Sequence, residues 1–465
     1  MASPTESVKK LFESFLDDSQ IKIDPSDLCA YGTDNTEVFK PNPLLIVLPK
    51  TTEEVQEIVK TCYDNNIAMV PSGGRTGMAA GAIAAHGEVV ISMEKMNRVL
   101  SIDAISSSME VEAGVVLEDA QLAAKEASLY LPIDFGAKGS AEIGGCISTN
   151  AGGCKVFKYG MTRHHVLGIE VVTPSGDILN LNTKLYKNNA GYDLKQLFIG
   201  AEGTLGIITK ATLKLAPKPK HLVLGYFGVQ EFSHILEILK IIKSKSLDIT
   251  AFEFLPHDVL ESTLAYIPKL KNPLATKHPF YILVEIDASD DGTEFRSVVE
   301  NLFEQNLIAD GTFAENDSQF KALWTIRESA PDGIRAQGFM HRNDISVPIS
   351  ALSEFLPKLL RMFETDYRGL TVYYFGHISD GNLHVDILNK GKYSQHEFEA
   401  MIPTLDRKMF ELVASFNGSI SAEHGIGLLK RDLLHIQRTP LELELMRKIK
   451  AIFDPKQLMN PGKII

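Results

Sequence analysis

Apolar residues along the chain fall in short runs separated by polar, helix-like stretches. LLIVLP (44–49) and IAMVP (67–71) are strand-length runs on either side of 51–65, where Thr51, Thr52, Glu53 and Glu54 make a helix start and Val55, Ile58 and Val59 share one face. This reads as strand, helix, strand. Further strand signals follow at GEVVIS (87–92), SMEVEAG (108–114), GIEVVTPSG (168–176) and GIITKATLKL (206–215), with a helix near 117–127. The pattern restarts after Pro217 and Pro219 with HLVLGYFGV (221–229), a helix to about 244, ITAFEFL (249–255) and HPFYILVEID (278–287). Strands alternating with helices in both halves predict an α+β protein with a separate sheet in each. The segment LELELMRKIKAIF (441–453) predicts a C-terminal helix too short to stand alone, so it must dock on another part of the chain.

Composition narrows the class. The 465 residues exceed a single core, and 44% hydrophobic with 23% charged residues is ordinary for a globular protein. A formal charge of -12 with no basic stripe argues against nucleic acid as a partner. No apolar run approaches the roughly 20 residues that cross a bilayer. The acidic start, with no arginine before Arg75, has the wrong composition for a signal or transit peptide, so a cytoplasmic protein is expected. Four cysteines form no disulfide framework and no CxxC knuckle.

Three glycine-rich segments stand out in the first half: PSGGRTG (71–77), GSAEIGGCISTNAGG (139–153) and IGAEGTLGIITKATLKL (199–215). Glycines let backbone amides approach a pyrophosphate and form an anion-binding nest. The first segment matches neither GxGxxG nor a P-loop, and alone it reads as a plain turn. The second is oddly long for a mere connection, and the three together favour an extended polar ligand.

In GHISDGNLH (376–384), Asp380-Gly381 lies between the apolar runs VYYF and VDIL, a hairpin signal. A two-residue turn there pairs His377 with His384 on one face, and the strand period adds Asp386. Glu423 and His424 are adjacent in SAEHGIG (421–427). Two histidines and a carboxylate suit an open zinc-like site, although histidines so spaced are also ordinary surface or core residues. The only tryptophan, Trp324, precedes Arg327 and Arg342, which fit either a solvated helix face or an anion site.

The ordered set PSGGRTG, PIDFGAKGSAEIGGCISTNAGG, KYGMTRHHVLGIEVVTPSGD and IGAEGTLGIITKATLKL resembles the FAD-binding domain of the vanillyl-alcohol oxidase and p-cresol methylhydroxylase superfamily. GHISDGNLH, SAEHGIG and MNPGK (459–463) resemble its D-2-hydroxy acid dehydrogenase branch, and most of all the D-2-hydroxyglutarate dehydrogenases. The resemblance covers nearly the whole chain. It implies a two-subdomain FAD-binding domain over 1–218, an α+β substrate-binding cap over 219–428, and a helical segment, 429–465, that returns to the flavin.

For FAD, the resemblance implies a first group of contacts at Pro71, Ser72, Gly73, Gly74, Arg75, Thr76, Gly77 and Met78. A second comprises Pro132, Asp134, Gly139, Ser140, Ile143, Gly144, Gly145, Ser148, Thr149, Asn150, Gly152, Gly153, Tyr159 and Gly160. The third is Glu202, Gly203, Gly206, Ile207 and Ile208, with Asn460 from the tail. The first loop has no histidine, so FAD is expected to be noncovalent.

It further implies a divalent metal, expected to be zinc, on His377, His384 and Glu423, with His424 as catalytic base. Substrate contacts fall to Arg327, Arg342, Asp386 and His424. Arginine's planar fork suits a carboxylate, and a second one favours a dicarboxylate such as D-2-hydroxyglutarate or D-malate over D-lactate. Two residues depart from the branch pattern: Pro331 replaces a hydroxyl-bearing residue, and Asp386 replaces Asn, where a carboxylate either joins the metal shell or repels an anionic substrate. The implied acceptor is an electron-transfer flavoprotein or a quinone, and a homodimer is compatible. Competing readings are a D-lactate or glycolate dehydrogenase, a metal-free alcohol or sugar oxidase of the same superfamily, and a flavin-binding partner subunit.

Overall fold

The computed structural model describes residues 4–36 and 38–465. They form two compact units, one made of the chain up to Gly153, Gly160–Lys218 and Glu423–Ile465, the other of Cys154–Tyr159 and Pro219–Ala422. The sequence-based division at 218 and 428 therefore differs in two places. Glu423–Leu428 lies with the first unit, where Glu202 accepts hydrogen bonds from the Ile426 and Gly427 amides at 2.7 and 2.8 Å. Cys154–Tyr159 lies with the second, where Lys155 pairs with Glu285 at 2.5 Å and Lys158 with Asp248 at 2.7 Å.

The first unit holds two main sheets. Leu45–Val47, Val89–Ser92 and Met69–Ser72 run parallel, with Ile21–Lys22 antiparallel at one edge. The helix Thr52–Asp64 makes the expected crossover. The Thr51 hydroxyl caps it by accepting from the Glu54 amide, and Val55, Ile58, Val59 and Cys62 are its buried face. The second sheet is antiparallel, in the order Val99–Asp103, Ser108–Glu112, Ile207–Lys214, Val166–Val172, Ile178–Leu181. Val55 and Ile58 from the crossover, Val89 and Ile91 from one sheet, and Val111, Val171 and Ala211 from the other share a single core.

The C-terminal segment docks on this unit. After the helix Pro440–Phe453, Met459 bridges Met69; the Met69 amide donates to Leu458 O, and the Asn460 amide to Met69 O, both at 2.7 Å. The buried Lys450 ammonium fixes the turn by donating to Thr204 O, Asp454 Oδ2 and Met459 O at 2.6–2.7 Å. A desolvated ammonium needs such partners, because one left unpaired costs several kcal/mol, of the order of 3–5.

The second unit is built on a seven-stranded antiparallel sheet. Its order is Asp310–Phe313, Leu222–Val229, Phe280–Asp287, Ile249–Pro256, Thr371–His377, Asn382–Leu388, Met340–Ser346. One face packs Leu224, Tyr226, Ala251, Leu255, Leu283 and Phe375 against Val259 and Leu260, Trp324 and Ile326, and Ala330 and Ile334 from three helices. By the strand period of two, the same face carries Glu253, His377, His384, Asp386, Asp344 and Arg342 at its other end. Apolar packing thus fixes a sheet whose far end is ionic.

Candidate active site

In the first unit the three glycine segments meet. Gly74 lies so close to the second segment that a Cβ there would stand 1.8 Å from Ser140 O, and a Cβ on Gly203, whose φ is +70°, would approach Pro71 to 3.2 Å. No larger residue fits at Gly74 without displacing backbone. The Glu202 amide donates to Ser148 O at 2.7 Å, and the Arg163 amide to Asn150 Oδ1 at 2.9 Å. Asn150 has φ +49° and ends the helix Ile143–Thr149. Gly145, in that helix, faces open space.

The tail closes on the third segment and just past the first: the Asn460 side-chain amide donates to Glu202 O at 2.7 Å and to Gly81 O at 2.9 Å. Two buried acceptors in this region, Asn460 Oδ1 and Glu142 Oε2, have no protein partner. Burial pushes the Glu142 carboxyl up to about 8; nearby Arg75 opposes the shift and Glu94 adds to it. Backbone in close approach, an open glycine face and unpaired buried polar atoms together fit an extended polar cofactor.

Individual cofactor candidates separate by environment. Arg75 is held back against its own loop, donating to Gly73 O at 3.2 Å and stacking over Tyr31 at 4.5 Å. Asp134 pairs with Lys138 at 2.7 Å. Ile143, Gly144, Ile207 and Ile208 are buried, and the three isoleucine side chains belong to the core. Tyr159 belongs to the second unit, whereas Gly160, with φ +81°, belongs to the first.

Glu423 and His424 open the last segment of the first unit. Glu423 Oε1 accepts from the Gly153 amide at 2.6 Å, placing the pair at the end of the second glycine segment. Gly425, with φ +85°, abuts the Glu202 carboxylate. The Glu-His turn is thus held between the second and third glycine segments.

In the second unit the hairpin differs from the expected two-residue turn. His377 pairs with Asn382, and His384 with Phe375, so Ile378, Ser379, Asp380 and Gly381 all lie in the loop. The histidines still share a face because they are diagonal neighbours, two residues out of register, and their ring centroids lie 5.3 Å apart at 80°. Burial raises Asp380 in this loop to about 6, against the pull of His377.

His377 Nδ1 lies 2.6 Å from Glu253 Oε1, and Arg327 Nε lies 2.8 Å from Glu253 Oε2. Burial works to raise the Glu253 pKa, but His377 and Arg327 outweigh it and hold the carboxyl below its ordinary value. Arg327 is buried rather than on a solvated helix face, and its guanidinium stacks over Phe375 at 5.0 Å. His384 Nδ1 lies 3.5 Å from Asp344 Oδ1, which also accepts from the Asn382 side chain at 2.7 Å.

Arg342 Nε donates to Asp386 Oδ1 at 3.1 Å. Burial raises the Asp386 pKa and Arg342 lowers it, with burial the stronger. Asp386 is therefore matched to a cation on the neighbouring strand, an arrangement outside both readings given to it from sequence. Pro331 lies in the first turn of the helix Ala330–Arg335, where a ring without an N–H is tolerated. Sequence reasoning missed Glu253 and Asp344. The available signal for Glu253 was a single charge inside the apolar run ITAFEFL.

Two family descriptions match the chain, "FAD linked oxidases, C-terminal domain" over residues 218–464 and "FAD binding domain" over 43–182. A D-2-hydroxyglutarate dehydrogenase of Stutzerimonas stutzeri is 42% identical over 97% of both chains. A mitochondrial D-2-hydroxyglutarate dehydrogenase of Danio rerio is 36% identical over 95% of this chain and 82% of that protein. The crystal structure of p-cresol methylhydroxylase superposes with a TM-score of 0.78 at 16% identity, covering 99% of this chain and 96% of that one, a likeness of fold. Among the described residues no helix is long and apolar enough to cross a membrane. With these matches spanning both halves of the sequence, the chain belongs to the FAD-linked oxidase family and, within it, to the D-2-hydroxyglutarate dehydrogenase group of FAD-linked dehydrogenases.

Proposed function

We propose that the chain oxidises D-2-hydroxyglutarate to 2-oxoglutarate, with D-malate as a second substrate, and that a divalent metal assists. The observation that carries this reading is the ionic end of the second unit's sheet, where two adjacent imidazoles share one strand face with Arg342 and with the carboxylate that Arg327 contacts. The relatives' names supply the hydroxy acid, and the presence of two arginines favours a dicarboxylate.

When bound, flavin would supply the two-electron acceptor that no side chain provides. The glycine segments and Asn460 would hold it. His377, His384 and Glu423 would hold the metal, whose chemistry is to lower the pKa of a nearby hydroxyl. Two imidazoles and a carboxylate are a fitting donor set for zinc.

His424 takes the 2-hydroxyl proton, a task suited to imidazole near neutral pH. Arg327 and Arg342 bind and orient the substrate carboxylates; the contact to Asp386 engages Arg342 through Nε. A panel of D-2-hydroxy acids tests the assignment. D-2-hydroxyglutarate should give the highest kcat/KM, D-malate should follow, and D-lactate should fall at least tenfold lower. A preference for D-lactate contradicts it.

A further inference from the structure

We propose that Glu253 is a positioning residue that ties the metal-binding imidazole to the substrate-binding arginine, so that one buried carboxylate sets the geometry of both. The inference rests on the preceding reading, in which His377 holds a metal and Arg327 a substrate carboxylate. Glu253 lies within the strand Ile249–Pro256, 1% exposed, between Phe252 and Phe254, which are also buried. An ionised carboxylate there loses several kcal/mol of solvation unless it is matched, and a buried ion pair as a rule adds little net stability.

The partners of Glu253 differ in kind from those of its neighbour on the same sheet. Glu285, also 1% exposed, accepts from Lys155, Thr250 and the Trp324 indole at 2.9 Å, and so holds the Cys154–Tyr159 segment and a helix to the sheet. Glu253 instead takes His377 on one oxygen and Arg327 on the other, two residues assigned to the site.

The geometry defines what each contact does. A carboxylate 2.6 Å from Nδ1 favours the His377 tautomer protonated on Nδ1, the form whose Nε2 can bind a metal. The contact to Arg327 Nε, 2.8 Å long, is an ion pair without hydrogen-bond alignment, and Arg327 Nη2 is buried with no protein partner. Glu253 therefore holds a cationic fork in place while leaving a donor for an anion.

Glu253→Gln, Glu253→Asp and the comparison variant Glu285→Gln test this in the purified flavoprotein. Zinc affinity is read by competition with a chromogenic chelator. In chelator-treated protein, 2-oxoglutarate binding is read from the flavin spectrum. In Glu253→Gln an amide N–H facing Nδ1 drives the imidazole proton to Nε2, so zinc affinity falls ~10–100-fold, and 2-oxoglutarate binds about tenfold more weakly as Arg327 loses its anchor. Glu253→Asp, which keeps the charge one methylene back, is intermediate in both. Glu285→Gln lowers the melting temperature without changing either affinity.

Wild-type affinity for both ligands in either folded Glu253 variant overturns the proposal, as does an equal loss in Glu285→Gln. Wild-type protein that takes up no zinc overturns the metal reading itself, and with it this inference.

Discussion

Arg342 Nε donates to Asp386 Oδ1 at 3.1 Å across two adjacent strands, and Asp386 Oδ2 is buried without a protein partner. The carboxylate partly cancels the charge offered by Arg342. Asp386→Asn keeps an acceptor for Nε and removes the negative charge. The KM for D-2-hydroxyglutarate is expected to fall about 3–10-fold, corresponding to roughly 1 kcal/mol, with little change for D-lactate. Steady-state kinetics on both acids reads the difference, and an equal change for both excludes a role in recognising the second carboxylate.

His377→Ala and His384→Ala each remove one imidazole from the pair whose rings stand 5.3 Å apart. Each variant should retain flavin, lose tightly bound metal and drop at least ~100-fold in kcat/KM. Metal analysis and flavin absorbance on the same preparations separate this from unfolding. Chelator treatment of the wild type should reproduce the loss, with zinc restoring activity.

Gly74→Ala introduces a methyl group 1.8 Å from Ser140 O, where only backbone can yield. Overpacking of this kind costs about 1–3 kcal/mol. Since the two segments it forces apart are the ones assigned to FAD, the variant should purify with reduced flavin content and a lower melting temperature. Gly145→Ala, at a position facing open space, should fold normally but bind FAD less tightly. Flavin-to-protein absorbance ratios distinguish the two effects.

Burial raises Glu142 from 4.5 in the unfolded chain to about 8 in the folded one. Between these values the folded state keeps a proton that the unfolded state releases. The contribution is complete below about 4.5 and is lost as the pH rises through 8. Glu142→Gln, neutral at every pH, should melt like the wild type at pH ~5 and above it at pH ~8.5, flattening the slope between. Scanning calorimetry across this range is the check, and parallel wild-type and variant slopes would assign the dependence to other groups.

Much of the fold was legible because each signal was local. The Thr51 cap, the Val55, Ile58 and Val59 face and the strand runs each depend on residues a few positions apart. The hairpin shows where locality ends. Asp380-Gly381 announced a turn, but its length was set by where Glu253 and Phe254 on another strand pair with His377 and Gly376. The histidines kept a common face only because the register changed by an even step. Glu253 and Asp344 were invisible as site residues for the same reason: each gains its meaning from partners at least 38 positions away. Arg327 could be read as solvated or as an anion site because the phenylalanine it stacks on comes from a later strand.

Oxidation of a D-2-hydroxy dicarboxylate at bound FAD is tested most directly by mixing the purified flavoprotein anaerobically with D-2-hydroxyglutarate and following the oxidised flavin band. Rapid bleaching by the D enantiomer, at least ~100-fold slower after chelation and absent with the L enantiomer, is the predicted result. A flavin that stays oxidised with D-2-hydroxyglutarate and D-malate, in protein carrying its full metal content, would contradict the account.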